Sequence, residues 1–302
     1  MAAIKHLLNL EELAPDELKE ILDLAVRQKS DPESYLRARP LYGKVAGLFF
    51  EKPSLRTRLS FEVGVLQLGG HCIYMGPEAG QLGVRESLED TARVSSRYVD
   101  LMVLRVNKHA ALETFAASST KPVINALSDE SHPCQALADL LTIREKLGRL
   151  KDITVAFVGD GNNVARSLAR GLAKSGGRMI LAAPDGYEFD AEFMRKFGQN
   201  GQVRVVRDPA QAVLGAEVIY TDVWTSMGQE TEAAKRLKAF QGYQVNAALI
   251  ARAPNAIVMH DLPAHRGEEI TSEVLDGPRA VVLDQAENRL HAQRALLTVL
   301  AR

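Results

Sequence analysis

Short apolar segments alternate with amphipathic stretches along almost the whole chain, and this alternation limits the possible folds more than any other feature. The first series of predicted strands comprises VAGLFF (45–50), CIYM (72–75), LMVL (101–104) and PVINAL (122–127). The second series comprises ITVAFVG (153–159), RMILAA (178–183), VRVV (203–206), EVIYTD (217–222), AIVMHD (256–261) and AVVLD (280–284). Helical stretches separate the strands, which indicates parallel sheets covered by helices on both faces. We therefore predict an α/β protein with two doubly wound parallel sheets.

Two long helical patterns join the series. HPCQALADLLTIREKL (132–147) lies between them, and AENRLHAQRALLTVLA (286–301) closes the chain. We predict a first domain of residues 1–135, completed by 286–302, and a second domain of residues 150–285. Ligands of open parallel sheets bind at the carboxyl ends of the strands. The polar clusters fall at such ends, so we expect one active site in a cleft between the domains.

Composition narrows the classes of function. The 302 residues contain 37 Lys+Arg and 38 Asp+Glu, and the net charge of −1 disfavours a general nucleic-acid binder. No apolar run reaches the length of a membrane span, and the first residues turn acidic too early for a signal peptide. Cys72 and Cys134 are too few for a disulfide framework. We expect a cytoplasmic protein that binds neither nucleic acid nor membranes.

The stretch EKPSLRTRLSFE (51–62) places two arginines, a serine and a threonine at the start of a predicted helix. Unpaired backbone N–H groups and the positive end of the helix dipole attract anions there. Ser54 and Thr57 add hydroxyl donors, and Arg56 adds a guanidinium that fits phosphate oxygens bidentately. The alternative is an ordinary serine cap followed by two solvated arginines. From this stretch alone, both interpretations stay open.

His132 and Gln135 also stand at a predicted helix start, in HPCQ. His132 would donate to a carbonyl oxygen and Gln135 would accept from an amide, although a histidine at a helix cap is often only structural. A metal site is a weaker interpretation. His132, His260, His265 and His291 lack the paired spacing that metal ligands on a helix show, so we predict no metal.

The second series carries its own polar segments. VGDGNNVARS (158–167) resembles a dinucleotide fingerprint, but Val164 stands where the third glycine belongs, and the only acidic candidate, Asp185, follows Pro184. Its polar residues would instead bind a small molecule. Asp222 ends a predicted strand, where it would hold an ammonium group or serve as a cap. Gly228 lies in a following loop that could close as a lid. Arg289, taken alone, is expected to be a surface charge.

Seven stretches in order along the chain resemble the aspartate/ornithine carbamoyltransferase family: EKPSLRTRLSFE, QLGVRESLEDTARVSSRYVD, NALSDESHPCQALADLLT, VGDGNNV, DVWTSMGQE, LPAHRGEE and DQAENRLH. The resemblance implies a carbamoyl-phosphate domain, an amino-acid domain and a trimer or multiple of trimers. It implies carbamoyl transfer from carbamoyl phosphate to the δ-amine of L-ornithine, giving citrulline and phosphate, without any cofactor. The SMG segment favours ornithine over aspartate, putrescine or acetylornithine.

The resemblance also assigns residues. Carbamoyl phosphate would be bound by Ser54, Leu55, Arg56, Thr57, Gln81, Arg105, His132, Gln135, Leu262 and Arg289. Gln81 resembles a residue presented to a neighbouring subunit, and Leu262 would contribute its carbonyl. Ornithine would be bound by Asn163, Asp222, Ser226 and Met227. The catalytic set would be Arg105, His132, Asp222, Asp261 and Arg289.

Asp261 departs from the family pattern. The family reads HCLP where this chain reads His260-Asp261-Leu262-Pro263, so a carboxylate replaces the expected thiol. The alternatives are a catalytically weakened or non-catalytic relative and a carbamoyltransferase for another amine. A nicotinamide-dependent dehydrogenase rests only on the imperfect glycine pattern.

Overall fold

The computed structural model describes residues 4–79, 81–226 and 228–301. The chain divides into two compact units. One contains the residues up to Leu141 together with those from Glu287 onward, and the other is Thr142–Ala286. The predicted bounds of 1–135 with 286–302, and of 150–285, stay predictions.

The first unit is built on a parallel sheet. Its described strands are β1 (Val45–Phe50), β2 (His71–Met75), β3 (Leu101–Arg105) and β4 (Val123–Leu127). Their order in the sheet is β2-β1-β3-β4, with every neighbouring pair parallel. The described helices that begin in this part of the chain are α1 (Pro15–Ser30), α2 (Pro32–Ala38), α3 (Leu55–Gln67), α4 (Leu88–Tyr98), α5 (His109–Ser118) and α6 (Pro133–Leu147). A short 3-10 helix spans Pro77–Ala79.

The second unit is built on another parallel sheet. Its described strands are β5 (Thr154–Val158), β6 (Arg178–Ala182), β7 (Val203–Val206), β8 (Val218–Thr221) and β9 (Ile257–His260). The order is β7-β6-β5-β8-β9, again with parallel neighbours. Its described helices are α7 (Asn163–Ser175), α8 (Ala191–Phe197), α9 (Pro209–Ala212), α10 (Ala233–Ala239), α11 (Ala247–Ile250) and α12 (Ser272–Leu275), with a 3-10 helix over Glu230–Glu232.

Each sheet has a buried apolar core, as the near-continuous Val, Ile and Leu runs of its central strands require. Leu104, Phe115 and Val123 are fully buried in the first unit, and Val158, Ile219 and Val258 in the second. The prediction of two parallel-sheet α/β domains is therefore confirmed. Among the described helices, none combines the length and apolarity needed to cross a bilayer.

One predicted strand is wrong. AVVLD (280–284) forms a single bridge, between Ala280 and Val258, and the final helix α13 (Val282–Leu300) then begins inside the segment. A short apolar run cannot be assigned to a strand or a helix by periodicity alone. Because α13 begins at Val282 rather than at 286, Arg289 lies in its third turn and not at its start.

Candidate active site

The SLRTR segment begins helix α3, directly after strand β1, as the sequence predicts. Ser54 precedes the helix with an extended backbone (φ −158°, ψ 110°), and its side chain makes no capping hydrogen bond. The interpretation of Ser54 as an ordinary side-chain cap is therefore not supported. The first N–H groups of an α-helix have no partner within the helix, so this turn offers donors to an anion. Leu55, whose side chain is 72% exposed, would contribute only its backbone N–H.

The two arginines of this segment have different surroundings. Arg58 donates from Nε to Glu62 Oε1 at 2.9 Å, and its guanidinium lies 3.7 Å from the centre of the Tyr74 ring. Arg56, two residues earlier on the helix, is half-buried. Arg58 is thus engaged in local contacts, and the phosphate-binding role of Arg56 stays a prediction.

Three arginines of the first unit lie near one another. Arg105 ends strand β3 and is 4% exposed. Burial, together with the positive charges of Arg289 and Arg56, lowers the pKa of Arg105 to about 10. The guanidinium still carries its charge at neutral pH. Like charges held this close are unfavourable without a counter-ion, so the cluster of Arg56, Arg105 and Arg289 fits a multiply charged anion such as phosphate.

Arg289 connects this cluster to the helix that begins after His132. Its Nη1 donates to Gln135 Oε1 at 2.6 Å, and its Nη2 donates to Thr57 Oγ1 at 3.2 Å. Gln135 in turn donates from Nε2 to Asp139 Oδ1 at 2.9 Å. Arg289 is only 4% exposed, so its interpretation as a surface charge is wrong. The tertiary structure brings Thr57, Gln135 and Arg289 together.

His132 is buried immediately before α6. Burial lowers its pKa well below the ordinary value, and the charges of Arg289 and Arg105 act in the same direction. The imidazole is therefore neutral at physiological pH. A neutral imidazole carries one N–H, which can donate to a carbonyl oxygen without adding a positive charge to the arginine cluster.

Gln81 does not join this cluster within the described ranges. Its side chain is exposed in the segment between the 3-10 helix and α4. Glu51 holds the segment in place: Oε1 accepts from the Leu82 N–H at 3.2 Å, and Oε2 accepts from the Asn107 N–H at 2.7 Å. The sequence shows Glu51 at a strand end, but its role in holding two loops was missed because both contacts are long-range.

In the second unit, Asn162 and Asp222 lie at the carboxyl ends of adjacent strands. Asn162 caps α7 by accepting from the Val164 and Ala165 N–H groups, and its Nδ2 donates to Asp222 Oδ2 at 2.7 Å. Asp222 also accepts from the Val223 N–H at 2.6 Å. Asn163 is the first residue of α7 and is half-buried. Asn162 therefore connects the two predicted ornithine residues: it caps the helix that begins at Asn163, and it donates to Asp222.

Asp261 follows strand β9 and lies beside Asp222. Ligand atoms of Asp222, His260 and Asp261 are all within 4.8 Å of one another. The turn after Asp261 is constrained, because Leu262 has a φ of 59° and its N–H donates to His260 Nδ1 at 2.9 Å. The opposite ring nitrogen, Nε2, contacts Glu269 Oε1 at 3.0 Å. Two carboxylates therefore face the same small region.

Among the described residues, two groups have the composition of a metal site. The first is the set just described, and the second is His265, Glu268 and Glu269, again with ligand atoms within 4.8 Å. Sequence spacing does not indicate the first group, because that group depends on strands β8 and β9 being adjacent. The second group is local, and a comparison of histidine spacings alone passes over its two carboxylates. The expectation of no metal stays a prediction.

The SMG segment begins with a tight local turn. The Ser226 N–H donates to Gln229 Oε1 at 3.1 Å, and the Gln229 N–H donates to the Ser226 carbonyl at 3.0 Å. Ser226 is half-buried. Met227, a predicted ornithine residue, lies outside the described residues.

The glycine pattern of β5 and α7 does not form an open dinucleotide turn. The Gly161 N–H donates to the Tyr187 carbonyl at 2.8 Å. A Cβ placed on Gly161 would lie 2.9 Å from the backbone nitrogen of Phe189. Gly161 is thus required for the close approach of residues 187–189, which pack where a pyrophosphate would need to approach the backbone. This packing weighs against the dehydrogenase alternative.

Two family models cover nearly the whole chain. Residues 5–145 match the model described as Aspartate/ornithine carbamoyltransferase, carbamoyl-P binding domain. Residues 151–300 match the model described as Aspartate/ornithine carbamoyltransferase, Asp/Orn binding domain. This chain belongs to the aspartate/ornithine carbamoyltransferase family.

Individual members of this carbamoyltransferase family match the chain over nearly their full lengths. The chain is 51% identical to the Ornithine carbamoyltransferase of Symbiobacterium thermophilum, covering 98% of this chain and 97% of that protein. It is 49% identical to the anabolic Ornithine carbamoyltransferase of Pseudomonas aeruginosa, covering 99% and 97%. The solved structure of ornithine carbamoyltransferase from Pyrococcus furiosus superposes with a TM-score of 0.92 at 48% identity, covering 98% of this chain and 97% of that one.

The two models divide the predicted site residues between them. Arg56 and Arg105 lie in the region of the first model, and Asn163, Asp222, Asp261 and Arg289 lie in the region of the second. The predicted membership of this carbamoyltransferase family is confirmed.

Proposed function

We propose that this chain transfers the carbamoyl group of carbamoyl phosphate to the δ-amine of L-ornithine, forming citrulline and phosphate. The observation that carries the proposal is the cluster of Arg56 at the start of α3, Arg105 at the end of β3 and Arg289 in α13. Its burial and mutual repulsion suit a phosphate dianion rather than a neutral ligand. The names of the relatives support ornithine as the acceptor.

Carbamoyl phosphate would bind through its phosphate to Arg56, Arg105, the Ser54 and Thr57 hydroxyls, and the backbone N–H groups that begin with Leu55. Negative charge grows on the carbonyl oxygen and on the leaving phosphate as the amine attacks. Preorganised donors stabilise this charge more than they stabilise the ground state. Neutral His132 and the Arg289 guanidinium would donate toward the carbonyl oxygen. Gln135, held by Asp139 and Arg289, would contact the carbamoyl amide.

L-ornithine would be bound by the second unit. Asn163 and the 226–228 segment would contact its amino-acid group, and Asp222 and Asp261 would contact the δ-amine. The amine must be uncharged when it attacks, because an ammonium has no lone pair. Asp222, oriented by Asn162, would accept a proton as the amine becomes the nucleophile.

We further infer that the protein is an oligomer of the cytoplasm. The first unit carries large exposed apolar side chains, among them Leu66 (60%), Val84 (70%) and Tyr98 (78%), which an oligomer would cover. They support an oligomer, and we infer a trimer or multiple of trimers in which Gln81 reaches the carbamoyl-phosphate site of a neighbouring subunit. The Leu262 carbonyl would also contact carbamoyl phosphate. The anabolic relative supports a role in arginine biosynthesis. A cytoplasmic location is proposed from the low cysteine content.

A citrulline-formation assay tests the proposal. Ornithine, lysine and putrescine are compared at equal concentrations with carbamoyl phosphate in excess. We expect product with ornithine at a kcat/KM at least tenfold above that with either other amine. Equal or higher efficiency with another amine would reassign the acceptor. No turnover with any amine, together with measurable carbamoyl-phosphate binding, would indicate the non-catalytic relative.

A further inference from the structure

We propose that Arg236 is a positioning residue for the amino-acid half of the reaction, because it joins the two loops that carry the proposed ornithine-binding residues. The inference rests on the proposed function and assigns a role to a residue that no motif of the sequence indicated. Arg236 lies in α10 and is 6% exposed.

The first contact of Arg236 reaches the loop after strand β5. Its Nη1 lies 2.6 Å from Asp160 Oδ2, and both side chains are largely buried. Asp160 is followed by Gly161 and Asn162. Asn162 caps α7 and donates to Asp222. The Arg236–Asp160 ion pair therefore restrains the backbone from which Asn162 orients Asp222.

The second contact reaches the loop after strand β8. The same Nη1 donates to the Trp224 carbonyl at 2.9 Å. Trp224 stands two residues after Asp222 and two before Ser226. Its indole also stacks on Phe240, with ring centres 5.6 Å apart. Because this contact is made to a backbone carbonyl, it restrains the backbone just before the SMG segment and does not depend on the side chains of that segment.

A third contact limits the position of the guanidinium itself. It lies 4.9 Å from the centre of the Tyr187 ring, and the Tyr187 carbonyl accepts from the Gly161 N–H. The Arg236 guanidinium thus packs against the Tyr187 ring while it binds the Asp160 carboxylate of one loop and the Trp224 carbonyl of the other. A lysine has the charge but lacks the planar fork, so it is a poor substitute at such a position.

Because the ion pair is buried, the charge of Asp160 depends on Arg236. The pKa of Asp160 is raised by desolvation and by the neighbouring charge of Asp222, and Arg236 opposes this rise. Without Arg236, Asp160 would take up a proton or draw away from the interior, and either response would shift the Gly161–Asn162 backbone. Arg236 contacts no reacting atom in the proposed reaction, so it would act on the reaction only through Asn162 and Asp222.

The test measures separate KM values for the two substrates. We expect Arg236→Gln to raise the KM for ornithine at least tenfold while changing the KM for carbamoyl phosphate less than twofold. Arg236→Lys should restore part of the loss. The matched control is Arg207→Gln, which removes another arginine of the same unit that binds the Ala183 and Pro184 carbonyls and pairs with Asp185 and Glu188. We expect both KM values of this control to stay within twofold of wild type.

The double variant Asp160→Asn/Arg236→Gln separates the loss of positioning from a loss of folding. It removes the buried Asp160 charge that the single variant leaves without Arg236. It should unfold at a higher temperature than Arg236→Gln and keep the elevated KM for ornithine. Hydrogen exchange of the 222–226 backbone should be faster in both Arg236→Gln variants than in Arg207→Gln. Equal rises in both KM values, or unchanged exchange in this segment, would overturn the inference. A wild-type protein that forms no citrulline would instead refute the proposed function. The comparison of hydrogen-exchange rates between the Arg236→Gln and Arg207→Gln variants would then still show whether Arg236 restrains the 222–226 backbone.

Discussion

Arg289 donates to Gln135 at 2.6 Å although the two residues are 154 positions apart. The contact joins the final helix α13 to the start of α6, and both side chains are almost fully buried. A buried guanidinium needs acceptors for its donors, and Gln135 and Thr57 supply two of them. The end of the chain is therefore part of the carbamoyl-phosphate half of the proposed site.

We predict that Arg289→Met lowers turnover at least a hundredfold. The substitution keeps an apolar stem but removes a donor aimed at developing negative charge, a loss that costs about 2.7–4 kcal/mol in comparable sites. It also removes the donor that Arg289 supplies to Gln135 Oε1 and Thr57 Oγ1, at about 1–3 kcal/mol of stability. Single-turnover kinetics and urea unfolding measure the two effects. A variant with wild-type turnover would exclude Arg289 from the catalytic set.

We predict that Arg56→Ala abolishes tight binding of carbamoyl phosphate while the protein stays folded. A charge-assisted hydrogen bond contributes about 1.5–3 kcal/mol, or roughly a 10- to 150-fold change in affinity. Arg58→Ala is the matched control, because Arg58 is engaged with Glu62 and Tyr74 instead. Calorimetric titration measures both. Affinity of Arg56→Ala within about threefold of wild type would contradict the assignment of the phosphate loop.

We predict that Asp261→Cys raises turnover on ornithine near pH 7 and moves the pH–rate optimum toward neutrality. Asp222 and Asp261 face the same region, and two carboxylates stabilise the ammonium form of an amine. Ground-state binding is then strong, but the fraction of reactive free amine is small. Asp261→Asn separates charge from geometry, since it keeps the shape and removes the charge. Lower turnover in Asp261→Cys would show that the carboxylate is adapted to catalysis and would reopen the identity of the amine.

We predict that acid destabilises the protein as the pH falls from about 6.5 toward 4. Burial lowers the pKa of His6 to about 4, and the pKa values of His132 and His291 are also lowered by burial. The unfolded chain takes up these protons near pH 6.5, whereas the folded chain does not. Unfolding therefore becomes easier below pH 6.5, and the stability is fully present above it, with a slope of at most about 1.4 kcal/mol per pH unit for each histidine.

The histidine variants His6→Gln and His71→Gln test this dependence. His6 is partly buried and accepts from the Val123 N–H at 3.1 Å, which requires an uncharged Nδ1. His71 is exposed on β2. Urea unfolding at pH 5 and pH 7 should show a smaller pH dependence in His6→Gln and an unchanged one in His71→Gln. Equal slopes in the two variants would remove His6 from the explanation.

The strands, the helix start at Ser54 and the strand-end positions of Arg105, Asp222 and Asp261 were all predictable from local pattern. Strand and helix periodicities, and the residues that end them, are properties of neighbours in the chain. The resemblance then named the residue roles, which stay predictions. AVVLD was assigned wrongly because four apolar residues suit a strand or a helix equally, and packing against β9 allowed one bridge before α13 began.

Long-range contacts account for the features that local pattern left out. Arg289 changed from an expected surface charge to a buried donor because α13 returns to Thr57 and Gln135. Arg236 carried no motif, yet it meets Asp160 and Trp224, which lie 76 and 12 positions away. Local sequence encodes where a strand or helix begins and which residues end it. The partner of a buried charge depends on which distant segments pack around it, and in this protein that was visible only once the chain was folded.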